Sequence, residues 1–365
     1  MLGRLKNKAT APIRASHGVL GLLTYRPRAT SLVDPVYINL GSNPYDRYLY
    51  LFAKFLHIAN RSVIIAPRPL LVHDLLSDSY TKLLFTERFV RFTRGGAEGV
   101  FAISDRSSPY GCVISPDYFT DLLTLSIDDA DFYVPMAMHP SQYSSGFWNY
   151  PISKPAARIR SIFFAGNLDP EAYRQISRGF SVLDRIALCE QLARLSCSFP
   201  RSFRELLDGG GRHLDGVLAH TDGFWIPTAN VRSMLAKYDF FLACPGVYMP
   251  HSHNLVEAMS VGTIPIIQNS YARLVVPPLE DGVNAIIFTQ DTFLPVARRA
   301  LQFDDRTINA LHEGVQAYYE NHMTPRAVIA GLFSKPWRRI MLIAEQNSVQ
   351  IATQRGALRS PVSGT

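Results

Sequence analysis

The stretch that most limits what this chain can fold into runs from Tyr238 to Ile267, YDFFLACPGVYMPHSHNLVEAMSVGTIPII. Phe240, Phe241, Leu242 and Ala243 form an apolar run without helical spacing, as expected of a strand covered on both faces. Cys244-Pro245-Gly246 breaks it, and Ser252, His253 and Asn254 are residues that start helices. Leu255 to Ser260 then reads as a short helix, Val261-Gly262-Thr263 closes it, and Ile264 to Ile267 form the next buried strand. This is a βαβ unit, and such a unit imposes a parallel sheet.

Ligands of open α/β sheets bind outside the carboxyl ends of the strands. A helix that follows a Pro-Gly loop offers unpaired N–H groups and a positive dipole end to a phosphate. The turn here also carries His251 and His253, with Glu257 three residues past Asn254. Two readings stand side by side. In one, a diphosphate rests on the N–H groups and Glu257 reaches a sugar hydroxyl. In the other, Asn254 and Glu257 form a capping box.

The run PGVYMPHSHNLVEAMSVGTIPII resembles the donor-binding segment of GT-B glycosyltransferases, especially the exostosin-like group, through Pro245, Gly246, Ser252, Glu257, Ala258, Gly262 and Pro265. Upstream, Arg160 to Asn167 (RSIFFAGN) is similar to the strand that opens the same domain, so the resemblance covers roughly 160 to 290. It implies two Rossmann-like parallel-sheet α/β domains facing a cleft, and transfer of a sugar from a nucleotide-sugar to a glycan or lipid-linked acceptor, as a hexosyl- or related transferase. One departure stands out. A large retaining family with this helix carries two glutamates eight positions apart; the second matches Glu257, and the first falls on Met249, which cannot bind a hydroxyl.

The 365 residues suffice for two domains, and 47% hydrophobic against 18% charged residues excludes global disorder. The net charge of +7 is partly local: Arg4, Lys6, Lys8, Arg14, Arg26 and Arg28 all precede the first acidic residue, Asp34. Such an arm suits anionic lipid or simple solubility, and no nucleic-acid recognition motif accompanies it. Cys112, Cys189, Cys197 and Cys244 form no CxxC pair, which argues against structural zinc and for buried thiols in a reducing compartment. The apolar Val19 to Leu23 is too short to span a bilayer and lacks a following cleavage site. A cytoplasmic protein able to touch a membrane surface is expected.

In order, residues 1–34 read as a loose basic arm, 35–152 as an acceptor-side Rossmann-like domain, 153–330 as the nucleotide-sugar domain, and 331–365 as a C-terminal helix and loose tail. Val36 to Leu40 is the first strand and Asp46 to Ala59 an amphipathic helix. The loop between them carries Ser42, Asn43, Asp46 and Arg47, and belongs on the ligand side of its sheet. Asp46 is the first candidate for the base that takes the acceptor's proton; its bland alternative is a first-turn acid favoured by the helix dipole. His139, where the chain crosses between domains, is the second candidate. The crossing, at 150–158, reads as a hinge for closure. In the second half Gly166 permits close approach of a ligand to the backbone, and Asn167 can hydrogen-bond it.

No GxGxxG, GxxxxGK[ST] or GxSxG run appears, while Asp129-Ala130-Asp131 is a DxD triplet. The resemblance implies a metal-independent site without cofactor, in which His251, His253, Arg160 and Arg273 neutralise the leaving diphosphate alongside backbone N–H groups. Two alternatives remain open. A nucleotide-sugar epimerase or a phosphorylase shares this architecture, though Lys335 lacks a recognisable cofactor setting. A non-catalytic relative that binds a glycan or a partner fits Met249.

Overall fold

The computed structural model describes residues 2–28, 31–94, 100–106, 111–152, 157–173, 176–208, 214–220 and 223–358. Part of the expected hinge, 153–156, and the glycine run Gly209 to Gly211 lie outside them. The strands are β1 (Val36–Asn39), β2 (Val63–Ile65), β3 (Val90–Phe92), β4 (Phe101–Ser104), β5 (Gly111–Ser115), β6 (Asp131–Tyr133), β7 (Ile159–Gly166), β8 (Cys197–Ser198), β9 (Gly216–His220), β10 (Tyr238–Leu242), β11 (Ile264–Gln268), β12 (Ile286–Phe288) and β13 (Arg339–Met341). They build two sheets, of order β3-β2-β1-β4-β5-β13-β6 and β12-β11-β10-β7-β9-β8. Every pairing is parallel. The chain is thus an α/β protein with two Rossmann-like sheets, as the βαβ reading anticipates.

The first compact unit runs to Asp121 and resumes at Leu125–Val134 and Pro325–Ile351; the second holds Pro135–Thr324 and the chain from Ala352 onward. The C-terminal stretch differs from expectation. Only Pro325–Leu332 is helical; Arg339-Ile340-Met341 then forms β13 between β5 and β6, and Gln346–Gln354 is a further helix rather than loose tail. Pro336 ends the helical pattern, and the apolar run that follows finds two strand partners far back in the chain.

The N-terminal arm is also a correction. Helix α1 (Leu2–Thr24) packs on a later helix, Pro69–Ser77. Helix α2 (Arg47–Ile58) lies between them in sequence, so Pro69–Ser77 is α3. Two glycines permit the contact: a Cβ on Gly18 would lie 1.9 Å from the Pro69 carbonyl oxygen, and one on Gly21 2.5 Å from Leu76 Cδ1. Arg14 pairs with Asp74, and His17 Nδ1 sits 2.9 Å from His73 Nδ1. Gly18, Gly21 and Pro12 weaken a local helix reading, whereas the contact they serve is long-range.

Each sheet has its buried face filled as its strand composition demands. β10 is buried at all five positions, and Phe163 of β7 stacks on Tyr238 with centroids 4.6 Å apart. In the first unit α2 lays Leu49, Phe52, Ala53, Phe55 and Leu56 into the core, the stripe its periodicity predicts.

Candidate functional site

The second sheet reverses its strand order between β7 and β10: β8 and β9 lie on one side of this pair, β11 and β12 on the other. Ligands of open α/β sheets bind at the carboxyl ends of such a pair. The loops that leave β7 and β10 there are tied together by a residue that the sequence reading passed over, Arg185. It is the first residue of the Arg185–Leu192 helix, whose N-cap Asp184 accepts the Ala187 N–H at 2.8 Å. A cation at this end opposes the helix dipole, so tertiary contacts must hold it. Nη1 donates to the Asn167 carbonyl at 3.2 Å, Nη2 to the Pro245 carbonyl at 3.0 Å, and the guanidinium lies 3.9 Å from the Tyr173 ring centroid. Arg185 is 5% exposed and its Nε has no partner among the described residues. Among the described residues its hydrogen bonds go to two carbonyls and none goes to a carboxylate, so a buried positive charge sits at the switch point against carbonyls and the Tyr173 ring. Gly166 makes room for it: a Cβ there would come within 3.3 Å of Nη1.

The turn from Pro245 to Asn254 leaves this same edge, but its groups are more committed than the phosphate reading assumed. Gly246 N–H donates to the carbonyls of Met249 (3.1 Å) and Pro250 (3.3 Å), and a Cβ on Gly246 would meet His251 O at 2.9 Å. Its glycine is required by the loop folding on itself. Ser252 is the N-cap of the His253–Met259 helix but makes no side-chain cap bond; its N–H donates to the Tyr271 hydroxyl at 2.9 Å. Asn254 Nδ2 donates to Ala165 O at 3.2 Å, a second tie between the β10 loop and β7. Glu257 forms no capping box. It is 3% exposed, and its Oε1 accepts the His139 backbone N–H at 3.2 Å. His253 Nδ1 lies 3.3 Å from Glu257 Oε2, an ion-pair separation when the ring is protonated, and the His253 ring meets that of His139 edge-on with centroids 5.1 Å apart. The structure therefore gathers His139, His253 and Glu257, while Met249 is buried as a core residue.

Two of the proposed diphosphate cations are corrected. Arg160 stands near the start of β7, at the edge opposite Gly166, and is bound to Asp239 (2.7 Å) and Asp305 (2.9 Å). An extended strand rises about 3.3 Å per residue, which carries Arg160 far from the switch point. His251 is buried, and burial pushes its pKa down to about 4, so at neutral pH it holds no charge. Arg273, in contrast, is exposed at the C-cap of Asn269–Ala272, directly after β11, on the carboxyl edge.

The first sheet has its own reversal, between β1 and β4. The loop after β1 meets the end of β4 there, with Gly41 N–H donating to Asp105 Oδ2 at 2.6 Å. Asn43 Oδ1 accepts the Tyr45 N–H at 3.2 Å, and Ser42 is exposed. Asp46 is the N-cap residue of α2, with φ 45° and ψ −125°, and makes no cap hydrogen bond. A non-glycine residue held at positive φ is a cost that the surrounding structure has to support. Its carboxyl is raised above the usual Asp value, by partial burial first and then by Asp78 and Glu345, with Arg47 opposing. Arg47 is paired to Glu345 and donates to the Tyr48 hydroxyl at 3.3 Å. Glu345, also at positive φ (41°), follows β13 and was not visible as a site residue in the sequence. Asp46 thus stands exposed at the start of α2 without a cap bond, holding its proton more readily than an ordinary aspartate. His139 fits the role of base less well: its Nδ1 is already engaged, 2.7 Å from Ser141 Oγ and 3.3 Å from the Ser141 N–H.

Neither a protein-family model nor a curated protein matches the chain. Among solved structures it is similar to HepE of Anabaena in complex with UDP-glucose, at 10% identity and TM-score 0.44 over 88% of this chain and 100% of that one. It is also similar to a glycosyltransferase of Rickettsia africae, at 8% identity and TM-score 0.43 over 82% and 97%.

Proposed function

We propose that this chain is a nucleotide-sugar glycosyltransferase of the GT-B type, akin to the exostosin-like group, that moves a hexosyl or related residue onto a glycan or lipid-linked acceptor in glycan assembly. The observation that carries the reading is the buried Arg185 guanidinium at the switch point of the second sheet, hydrogen-bonded to carbonyls only. A nucleoside diphosphate is the counter-ion such a place lacks, and Arg273 adds exposed charge on the same edge. Gly166, Asn167, Pro245, Gly246, Ser252 and Asn254 shape the loops around it; His253 and Glu257 are left to meet the ribose or the sugar. Asp46 takes the acceptor hydroxyl's proton, with Ser42, Asn43 and Arg47 as its surroundings on the acceptor side. Charge on the leaving group is handled by side chains and N–H groups, without a metal.

The test is calorimetric titration of the purified chain with UDP, GDP and ADP, followed by a donor screen read by release of nucleoside diphosphate. Binding of one nucleotide, weakened by Arg185→Ala, is the expected result; absence of affinity for all three, with acceptor glycans present or not, overturns it. A second reading, a non-catalytic relative, rests on Met249 buried where a donor-binding glutamate would stand. Nucleotide binding without turnover of any donor selects it.

A further inference from the structure

The N-terminal helix poses a question that the transfer reaction leaves unanswered. Its inner face is used up: Gly18 and Gly21 lie against α3, and Arg14 is paired with Asp74. Its outer face holds Ile13 (73% exposed), Leu20 (58%) and Leu23 (67%), with Val19 beside them. These positions, at spacings of seven, three and four, fall on one side of a helix. Leu70, next to the Pro69 carbonyl that Gly18 packs against, is exposed as well. Apolar side chains set in water on one docked helix need an occupant for that face.

Charge indicates which. At the C-terminal end of α1, Arg26 donates to the Leu23 carbonyl at 2.7 Å, Arg88 Nε donates to the Arg26 carbonyl at 2.6 Å, and Arg28 N–H donates to the Arg88 carbonyl at 2.9 Å. The guanidinium groups of Arg26 and Arg88 are thereby fastened near Leu23, Arg28 is held there through its backbone, and all three side chains are exposed. Asp74 is matched by Arg14, Glu87 by Lys54, and Asp34 lies 3.9 Å from Arg61. No acidic residue occurs before Asp34. No described helix is long and apolar enough to cross a membrane, so α1 is suited to lie on a bilayer rather than in it.

We propose that the outer face of α1 docks the protein on an anionic lipid surface, with Ile13, Leu20 and Leu23 entering the headgroup boundary and Arg26, Arg28 and Arg88 facing lipid phosphates. Basic groups flanking a modest apolar stripe are the physical requirement for reversible interfacial binding. This surface belongs to the first unit and is independent of donor chemistry, so it stands or falls separately from the transfer reaction.

The full-length protein is sedimented with vesicles of phosphatidylcholine alone and of phosphatidylcholine mixed with phosphatidylglycerol, at low and high salt. Binding to the mixed vesicles alone is expected, weakened by salt. The variant Ile13→Ser, Leu20→Ser, Leu23→Ser should lose binding by at least about tenfold, and Arg26→Gln with Arg28→Gln should remove the salt dependence. All five side chains are exposed, so thermal melting should be unchanged and separates lost binding from lost fold. The proposal is overturned if the apolar variant binds as the wild type does, or if neither vesicle binds. It is equally overturned if light scattering shows a dimer in solution that the apolar variant dissolves, because the face then belongs to a second copy.

Discussion

The two sheets end in edges of the same topology and opposite electrostatic character. At the reversal of the first, Asp46, Asp78 and Glu345 converge with Arg47 as the near cation, and the backbone is held at positive φ at both Asp46 and Glu345. At the reversal of the second, Arg185 is buried against carbonyls, Arg273 is exposed, and the loops are cross-tied by Asn254. The difference teaches what each edge can bind. Clustered carboxylates raise one another's proton affinity and suit the uptake of a proton from a hydroxyl. An uncompensated guanidinium framed by loop backbone suits an anion.

The change that breaks the first edge most severely is Asp46→Asn. If Asp46 is the base, turnover with donor and acceptor should fall by at least about a hundredfold, while nucleotide affinity measured by calorimetry stays as in the wild type. Equal losses in turnover and nucleotide affinity would instead assign Asp46 to folding of the loop.

Arg185→Ala strikes the second edge. Loss of a charged donor should raise the nucleotide Kd by about ten- to a hundredfold. The Asn167 and Pro245 carbonyls also lose their partner, so the melting temperature should drop. Arg185→Lys keeps the charge without the fork and should recover part of the affinity. Affinity unchanged in Arg185→Ala would reduce the residue to a loop tie.

How much of this was legible beforehand depended on whether the cause was local. The β10 loop, its helix and β11 were readable because an all-buried strand, a Pro-Gly break and helix-start residues lie side by side. Strands β5, β8 and β9 are not legible in the sequence: β8 is two residues long, and β5 and β9 each open on a glycine, a poor strand former. β13 reads as helix in the sequence because its partners, β5 and β6, lie far upstream. Among site residues, the loop holding Asp46 and the turn holding His253 followed from strand-end logic. Arg185 left one usable signal, a cation directly after an N-cap aspartate, against the dipole. Glu345 left none, since its approach to Arg47 depends on where β13 inserts. The misplacement of Arg160 has the same origin: being near the glycine of β7 in sequence does not say which end of the strand a side chain serves.

His251 separates the edges by pH. Its folded pKa of about 4 lies below the ordinary 6.5. Between those values the unfolded chain binds a proton that the fold refuses, so stability falls as pH drops through that window. The loss should be about 2 kcal/mol between pH 8 and pH 5, read from urea midpoints. In His251→Gln the slope should flatten over that range, whatever the variant's stability at pH 8. A slope that persists unchanged would mean that His251 is charged in the fold and available to an anion after all.

Glu345→Gln tests the first edge by a smaller and more specific effect. Glu345 raises the Asp46 carboxyl, and Arg47, which it pairs with, lowers it. Removing the Glu345 charge both deletes a like-charge repulsion and leaves Arg47 to act on Asp46 undivided, so both consequences have one sign. Asp46 should ionise at lower pH. A base must be ionised to act, so the acid limb of the pH profile of kcat/KM should move to lower pH in Glu345→Gln, with the plateau reduced only modestly because a weaker base transfers less readily. Burial is the first cause of the raised value and remains, so the limb should stay above that of an ordinary aspartate. A limb that stays fixed would separate Glu345 from the base, and a limb that moves upward would show that Arg47, released from its partner, turns away from Asp46.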